Sequence, residues 1–148
     1  MASNLSIICF AFIGRRSTVT IKANAAITAA QLSRVFENSG IHRPVDDVAR
    51  IDRMIHNANI LYTAWADDEL IGVARGFSDQ SYCCYLSDLA VIKQYQRQGI
   101  GRQLIATIHQ DLGPNISLVL LAAPSAMTYY PKLGFQSVPT AFKQQRDY

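Results

Sequence analysis

Residues 86–104 read LSDLAVIKQYQRQGIGRQL, and their order of apolar, glycine-containing and helical segments is the most informative pattern in the chain. Its first part, up to Val91, is rich in the apolar residues of a β-strand, and a loop containing Gly99 and Gly101 follows. The loop runs into a helix, whose first turn offers unpaired backbone N–H groups and the positive end of the helix dipole. Glycine permits close backbone approach there because it has no Cβ. The segment therefore predicts a strand, a phosphate-binding loop and a helix, in that order.

Two common phosphate-binding patterns do not describe this loop. A dinucleotide fingerprint needs a third glycine and a strand–helix–strand unit, whereas consecutive strands are expected before Gly99. A P-loop ends in Gly-Lys-Ser/Thr, which this loop lacks. Lys93, Arg97 and Arg102 are near enough in sequence to add positive charge for an anion. On the loop alone, a glycine-rich turn that binds nothing is an equal alternative.

The residues before the loop predict a strand, two helices and a three-stranded antiparallel meander. The first strand is Thr18–Ala23, and Thr28 is the expected N-cap of a first helix that ends at Gly40. A second helix is expected over Val45–His56. The apolar faces of the two helices are Leu32, Val35 and Phe36, and Val48, Ile51 and Ile55. The meander strands are Ile60–Ala66, Leu70–Phe77 and Tyr82–Val91.

The residues after the loop complete a mixed sheet. The helix that follows the loop carries an apolar stripe and ends at Gly113; the stripe is Leu104, Ile105, Ile108 and Leu112. The unbroken apolar run Ile116–Ala122 predicts a central strand that is covered on both faces. A short helix is expected at Pro124-Ser125, followed by final strands at Phe135–Val138 and Ala141–Lys143. We predict an α/β (α+β) fold with a mixed, mostly antiparallel sheet of about six to seven strands and helices on both faces.

The composition is typical of one ordinary globular domain. The chain has 148 residues, of which 49% are hydrophobic and 17% charged, so we expect a single domain over residues 1–148. A net charge of +3 is too small for the usual basic patch of nucleic-acid binders, so no nucleic-acid partner is expected. The odd cysteine count, with Cys9, Cys83 and Cys84, argues against a disulfide framework and favours a reducing, cytoplasmic compartment.

The N-terminal stretch Leu5–Ile13 is apolar but shorter than the roughly 20 residues that span a bilayer, so no membrane partner is expected. Arg15 and Arg16 follow it, whereas a signal peptide has its basic residues first. We expect an extra strand within residues 1–16, paired as a hairpin with 18–22, and a processed leader is the alternative. This apolar strand could also support a homodimer.

Three motifs together resemble the GCN5-related N-acetyltransferase family. Gln96-x-x-Gly99-x-Gly101 has its Gln/Arg-x-x-Gly-x-Gly/Ala form, and the strand Asp88-Leu89-Ala90-Val91 is similar to its coenzyme-proximal strand. Downstream, Tyr129-Tyr130-Pro131-Lys132-Leu133-Gly134-Phe135 resembles its Phe/Tyr-Tyr-x-x-Leu-Gly-Phe segment. The order of elements is similar from about Ala30 to Phe142, and the motifs are strongest in Leu86–Phe135.

The resemblance implies an acetyl-CoA-dependent enzyme that acetylates a primary amine of a small molecule or peptide, without a covalent enzyme intermediate. It implies that the strand at 89–91 and the strand at 116–122 splay apart, and that the pantetheine arm of the coenzyme lies between them. The coenzyme-binding residues carried over, with Ser125 added, are Leu89, Ala90, Val91, Gln96, Arg97, Gln98, Gly99, Ile100, Gly101, Arg102 and Ser125. An oxyanion donor is implied at a backbone N–H near Leu89.

The resemblance also implies catalytic residues. Tyr130 matches the tyrosine that protonates the leaving thiolate, and a phenol is a suitable acid for that step. Pro131 departs from the family pattern and predicts a helix end or kink at Tyr130. Ala123 stands where many relatives carry an asparagine that contacts the pantetheine arm. Asp88 is the candidate general base through water, with a structural carboxylate as the alternative.

The remaining polar and aromatic residues carry weaker expectations. Tyr129 is expected in the core. Arg75, inside an apolar strand, must pair with Asp79 or Asp88, or line the acceptor site. Tyr62, Trp65 and Tyr85 are expected in the core, and an aromatic acceptor pocket is the alternative. The histidines lack metal-ligand spacing, so no metal is expected. The functional alternatives are a non-catalytic acyl-CoA sensor on the same fold and an unrelated interaction domain.

Overall fold

The sheet of this protein follows the order of the chain, as a computed structural model of residues 17–147 shows. Its five strands lie side by side; they are β1 Val19–Ala23, β2 Ile60–Ala66, β3 Glu69–Ser78, β4 Cys83–Val91 and β5 Ser117–Leu120. Neighbours from β1 to β4 pair antiparallel, and β5 pairs parallel to β4. Three α-helices accompany the sheet; they are α1 Ala29–Ser39, α2 Val48–His56 and α3 Ile100–Leu112.

Capping residues fix the ends of α1, as the sequence predicts. The Thr28 side chain accepts from the Gln31 backbone, the Gln31 side chain accepts from the Thr28 backbone, and Gly40 ends the helix with a φ of 90°. Helix α2 begins at Val48 rather than Val45, because the Asp47 side chain caps it by accepting from the Arg50 N–H. Val48 is therefore in the first turn and 63% exposed, so the predicted apolar face is wrong at that residue.

The helices lie on both faces of the sheet, as predicted. Arg75 of β3 donates a hydrogen bond to the Met54 carbonyl of α2, so its face of the sheet carries α2. Tyr62 pairs with the neighbouring residue Ala74 and therefore points to the other face, where its hydroxyl donates to Asp111 of α3. The core packs between these layers and the sheet, and its largest fully buried apolar residues are Phe36, Leu32, Ile51, Ile71, Leu104 and Ile108.

The predicted count of six to seven strands is not matched, since residues 17–147 form five. The segments 135–138 and 141–143 are not strands, and Val138 and Phe142 are 58% and 98% exposed. Without partners from these segments, β5 pairs only with β4 among the described residues. The prediction of a central strand covered on both faces is therefore wrong, and Val119 and Leu121 are exposed. An apolar run is common to central strands and to edge strands, so it did not distinguish them.

The extra strand predicted for Leu5–Ile13 lies outside the described residues. Within residues 17–147, no helix is long and apolar enough to cross a membrane.

Candidate active site

The edge of β4 that faces β5 is paired over only half its length. The parallel ladder runs from Cys83 opposite Ser117 to Leu86 opposite Leu120 and stops there. Residues 87–91 therefore have backbone groups on this side with no β5 partner. Ala90 and Val91 are buried and Leu89 is half-buried. This free edge is where the predicted cleft between separating strands is expected.

A β-bulge shapes the same part of β4 from its other side. Arg75 of β3 lies opposite Asp88, whereas the next residue, Gly76, lies opposite Leu86, so Ser87 is an extra residue in β4. A Cβ on Gly76 would lie 2.2 Å from the Tyr85 carbonyl oxygen, which shows how closely the two backbones approach. The bulge sets which face Asp88 points to, because an inserted residue reverses the alternation of side chains.

The loop between β4 and α3 is held from within the protein. A short 3-10 helix, Lys93–Tyr95, follows β4, and the Gln96 side chain then donates to the carbonyls of Val91 and Ser39 at 2.8 and 3.1 Å. Gln96 thereby ties the end of β4 to the end of α1. Gln98 donates to the Gln94 carbonyl at 3.3 Å. Both predicted coenzyme-binding glutamines therefore use their side-chain amides to hold the loop.

Two residues of the loop have left-handed backbone conformations, Arg97 with a φ of 62° and Gly99 with a φ of 81°. A Cβ added to Gly99 would meet none of the described residues within 4 Å. The conformation thus favours glycine at position 99, while the space beside it is accessible from outside the protein.

The first turn of α3 has no side-chain cap. The first helical hydrogen bond runs from Gln103 N–H to the Gly99 carbonyl, so the N–H groups of residues 100–102 precede the helical ladder. Ile100 itself is buried. Arg102 donates to the Lys132 carbonyl at 3.2 Å and adds positive charge to this turn. Uncapped amides, the helix dipole and a guanidinium together suit an anion.

Tyr130 begins a 3-10 helix, Tyr130–Leu133, in which Pro131 occupies the first turn. The predicted helix end at Tyr130 is therefore wrong: proline lacks an N–H and is tolerated where helices start, so the helix begins here. The Tyr130 ring lies edge-on to the rings of Tyr129 and Phe135, with centroids 5.3 and 5.5 Å apart. Burial raises the pKa of the Tyr130 phenol, which keeps it protonated at neutral pH.

Asp88 lies between two arginines and is 1% exposed. Its Oδ2 accepts from Arg75 Nε and its Oδ1 from Arg43 Nε, both at 2.5 Å. Arg75 also donates to the Ser87 hydroxyl, and Arg43 donates to the Ser87 carbonyl. Of the partners predicted for Arg75, the structure shows Asp88. This arrangement joins β3, β4 and the loop between α1 and α2.

Arg43 is the residue of this network that sequence reasoning missed. It lies in the loop between α1 and α2, far from β4 in the chain, and its neighbours His42 and Pro44 give no local signal of a role. Its pairing arises only when the loop folds over β4. No signal in the sequence indicated this second cation, because one arginine already balances the charge of Asp88.

The other predicted residues are spread over the fold. Tyr62 and Trp65 are buried and hydrogen-bond Asp111 and Thr63, whereas Tyr85 is 40% exposed; these contacts fit the core interpretation for the first two. Ala123 and Ser125 are exposed, Ser125 within the 3-10 helix Pro124–Ala126. Among residues 17–147, no three metal-ligating side chains are grouped to hold an ion.

A cavity of about 940 Å³ lies between α3, β5 and the segment after Met127. It shares Arg102 and Tyr130 with the predicted site. Its remaining lining is mostly apolar and includes Ile105, Leu118 and Phe135. Tyr130 therefore borders a recess that continues from the first turn of α3 beneath β5.

Comparisons of this chain with known proteins all indicate the same family. A family model described as an acetyltransferase (GNAT) domain matches residues 20–146. An uncharacterized N-acetyltransferase, ycf52, from Gracilaria tenuistipitata var. liui is 28% identical over 132 residues, covering 84% of this chain and 71% of that protein. GCN5-related N-acetyltransferase 2, chloroplastic, from Arabidopsis thaliana is 35% identical over 82 residues, covering 52% of this chain and 31% of that protein.

Solved structures share the fold. A probable acetyltransferase of unknown function from methicillin-resistant Staphylococcus aureus superposes with a TM-score of 0.74 at 24% identity, covering 88% of this chain and 100% of that one. The aminoglycoside N-acetyltransferase AAC(6')-Iy, in complex with CoA, superposes with a TM-score of 0.68 at 16% identity, covering 90% of this chain and 98% of that one.

Proposed function

The chain belongs to the GCN5-related N-acetyltransferase family, and we propose that it transfers an acetyl group from acetyl-CoA directly to a primary amine. One observation carries the proposal: the uncapped first turn of α3 adjoins the unpaired edge of β4. The first feature suits a pyrophosphate and the second suits an extended chain with amide groups. A coenzyme A molecule contains both.

Different residues of the site would bind different parts of the coenzyme. Backbone N–H groups over Arg97–Arg102 would bind the pyrophosphate, with the Arg102 guanidinium adding charge. Leu89, Ala90 and Val91 would offer backbone groups to the pantetheine arm, and Ser125 a hydroxyl. Gln96 and Gln98, whose amides bond within the protein, would act by holding the loop in shape. When bound, acetyl-CoA supplies the activated thioester.

Two groups would serve the transfer itself. Tyr130 would give its phenolic proton to the leaving thiolate, and the raised pKa of this phenol keeps the proton in place at neutral pH. A backbone N–H near Leu89 would stabilise the oxyanion that forms when the neutral amine attacks the carbonyl carbon. Holding both reactants in one orientation would supply much of the rate.

Asp88 fits a positioning role better than the role of general base. Both of its oxygens accept from guanidinium groups, and it is almost fully buried. We propose that it holds the α1–α2 loop against β4, the strand that would present the thioester.

The acceptor is proposed as a primary amine of a small molecule or peptide. Support comes from relatives of the same fold, since an aminoglycoside acetyltransferase, meta-AAC0020, was determined in complex with sisomicin. That structure shows what the relative binds. For this chain, an acceptor is to be found by screening amines for release of free CoA thiol.

The proposal is tested first by calorimetric titration with acetyl-CoA. We expect micromolar binding by the wild-type protein and its loss in Gly99→Glu and Gly101→Glu, because both side chains would block the loop and repel phosphate. Gly113→Glu is the matched control: Gly113 also has a positive φ, 86°, and free space around it, but lies at the other end of α3. Absence of binding by folded wild-type protein would refute the coenzyme assignment.

Two observations support the alternative function, a non-catalytic acyl-CoA sensor. Ala123 replaces the expected asparagine, and the Tyr130 ring packs between two aromatic rings like a core residue. A sensor would bind acetyl-CoA in the titration and release no thiol with any amine of the screen.

A further inference from the structure

The hydroxyl of Tyr129 lies against the first turn of α3. A Cβ built on Gly101 would be 2.6 Å from the Tyr129 hydroxyl oxygen and 3.6 Å from its Cζ. The same Cβ would be 3.8 Å from Cδ2 of Leu89 on β4. The hydroxyl thus reaches the point where the unpaired strand edge meets the uncapped turn. Tyr129 is half-buried, so the prediction that it lies in the core is met only in part.

The two glycines of the loop are favoured for different reasons. Beside Gly99 there is free space and a left-handed backbone. Beside Gly101 the space is filled by the Tyr129 hydroxyl, and Gly101 is helical, so its conformation does not require glycine. The absence of a side chain at Gly101 is what allows the phenol to reach the turn.

The surroundings of the Tyr129 hydroxyl suit the donation of a hydrogen bond to an anion. Among residues 17–147 it makes no hydrogen bond. Burial raises the pKa of Tyr129, while the Arg102 charge lowers it, and burial is the larger effect. The phenol therefore keeps its proton at neutral pH, next to a guanidinium and to the uncapped N–H groups. Arg102 is tied to the Lys132 carbonyl, close to Tyr129 in the chain.

We propose that Tyr129 is a coenzyme-binding residue whose hydroxyl donates a hydrogen bond to a pyrophosphate oxygen at the start of α3. The two neighbouring tyrosines then have different roles: Tyr129 binds the coenzyme and Tyr130 protonates the thiolate. This inference rests on the proposed function for the identity of the anion. The contact between Tyr129 and Gly101 is independent of it.

Calorimetry with CoA tests the hydrogen bond, with Tyr129→Phe as the variant and Tyr82→Phe, at an exposed tyrosine outside the site, as the matched control. Tyr129→Phe removes one oxygen and keeps the ring, so we expect Kd for CoA to rise about tenfold, as for loss of a hydrogen bond to a charged group. Tyr82→Phe should change Kd less than about twofold, a shift too small for a lost hydrogen bond. Wild-type affinity in Tyr129→Phe would overturn the inference.

A second measurement needs no ligand. Gly101→Ala places a Cβ against the Tyr129 oxygen and should lower the melting temperature, and adding Tyr129→Phe should restore part of the loss because only the ordinary 3.6 Å contact to Cζ is left. Additive effects of the two substitutions would overturn the placement of the hydroxyl.

The outcomes separate the two proposals. If wild-type protein binds CoA and Tyr129→Phe binds equally well, the inference fails and the proposed function stands. If folded wild-type protein does not bind CoA, both proposals are refuted, whatever the melting temperatures show about Tyr129 and Gly101.

Discussion

The Asp88 carboxylate accepts a hydrogen bond from Arg75 at 2.5 Å, and both residues are almost fully buried, 1% and 4% exposed. They face each other across β3 and β4 at the bulge, beside the strand edge proposed to hold the coenzyme. A buried ion pair loses hydration and is retained only with good geometry and further hydrogen bonds. Here Arg43 and Ser87 supply those bonds, so the pair also holds the α1–α2 loop.

Replacing Asp88 by asparagine should destabilise the protein by about 3 kcal/mol, because two arginines would lose their counter-charge, one of them in the interior. The free energy of unfolding in urea measures this loss. The control is Glu69→Gln, which removes the exposed ion pair to Arg34 and should cost at most about 1 kcal/mol. An Asp88→Asn variant with wild-type stability and lost turnover would instead favour Asp88 as general base.

Adding a methyl group at Gly76 should disturb the bulge. A Cβ there would lie 2.2 Å from the Tyr85 carbonyl oxygen, and a backbone atom cannot rotate away as a side chain can. We expect Gly76→Ala to cost about 2 kcal/mol of unfolding free energy and to weaken CoA binding through the altered course of β4. Gly72→Ala in the same strand, whose closest contacts are 3.3 Å, should cost less. Equal costs at the two glycines would contradict this account.

The sequence predicted the elements whose cause is local. The strand β2 has the predicted bounds, and α1 has the predicted cap and C-terminal glycine, because periodicity and capping are properties of neighbouring residues. The loop before α3 was identified from its glycines, and Gly99 has the left-handed backbone that explains one of them. Asp88 was predicted as a partner for Arg75 because a charge inside an apolar strand needs one.

What the sequence could not predict depends on distant residues. Whether Ile116–Ala122 is a central or an edge strand depends on the segments that follow it, and 135–143 forms no strand among the described residues. The reach of the Tyr129 hydroxyl to Gly101, and the approach of Arg43 to Asp88, are likewise contacts between separate elements. No spacing or composition within one segment indicates such contacts.

Removing the Tyr130 hydroxyl should slow catalysis without weakening coenzyme binding. If the phenol protonates the leaving thiolate, Tyr130→Phe should lower kcat about 100-fold, while the ring keeps its contacts with Tyr129 and Phe135. Thiol release at saturating acetyl-CoA and acceptor measures kcat, once the amine screen has supplied an acceptor. Unchanged kcat would assign the proton to another group, and Phe135→Leu, which alters only the packing, serves as the control.

Tyr62 connects the sheet to α3 through a hydrogen bond from its hydroxyl to Asp111 at 2.7 Å. Burial raises the pKa of Tyr62 from its ordinary value of 10.0 to about 12, and the Asp111 carboxylate contributes to this rise as a smaller cause. The folded state therefore holds this proton more tightly than the unfolded chain does. By linkage, the resulting stability is fully present below pH 10 and is lost as pH rises towards about 12.

The unfolding free energy of the wild-type protein should accordingly fall between pH 10 and about 12, and Tyr62→Phe should show a shallower fall because it has no proton to lose. Urea unfolding at intervals from pH 8 upwards measures both slopes. Burial also raises the pKa values of Tyr129 and Tyr130, so the variant should retain part of the decline. Asp111→Asn, which removes the nearby negative charge, should have an intermediate slope. Identical slopes for wild type and Tyr62→Phe would show that Tyr62 ionises as easily in the folded protein as in the unfolded chain.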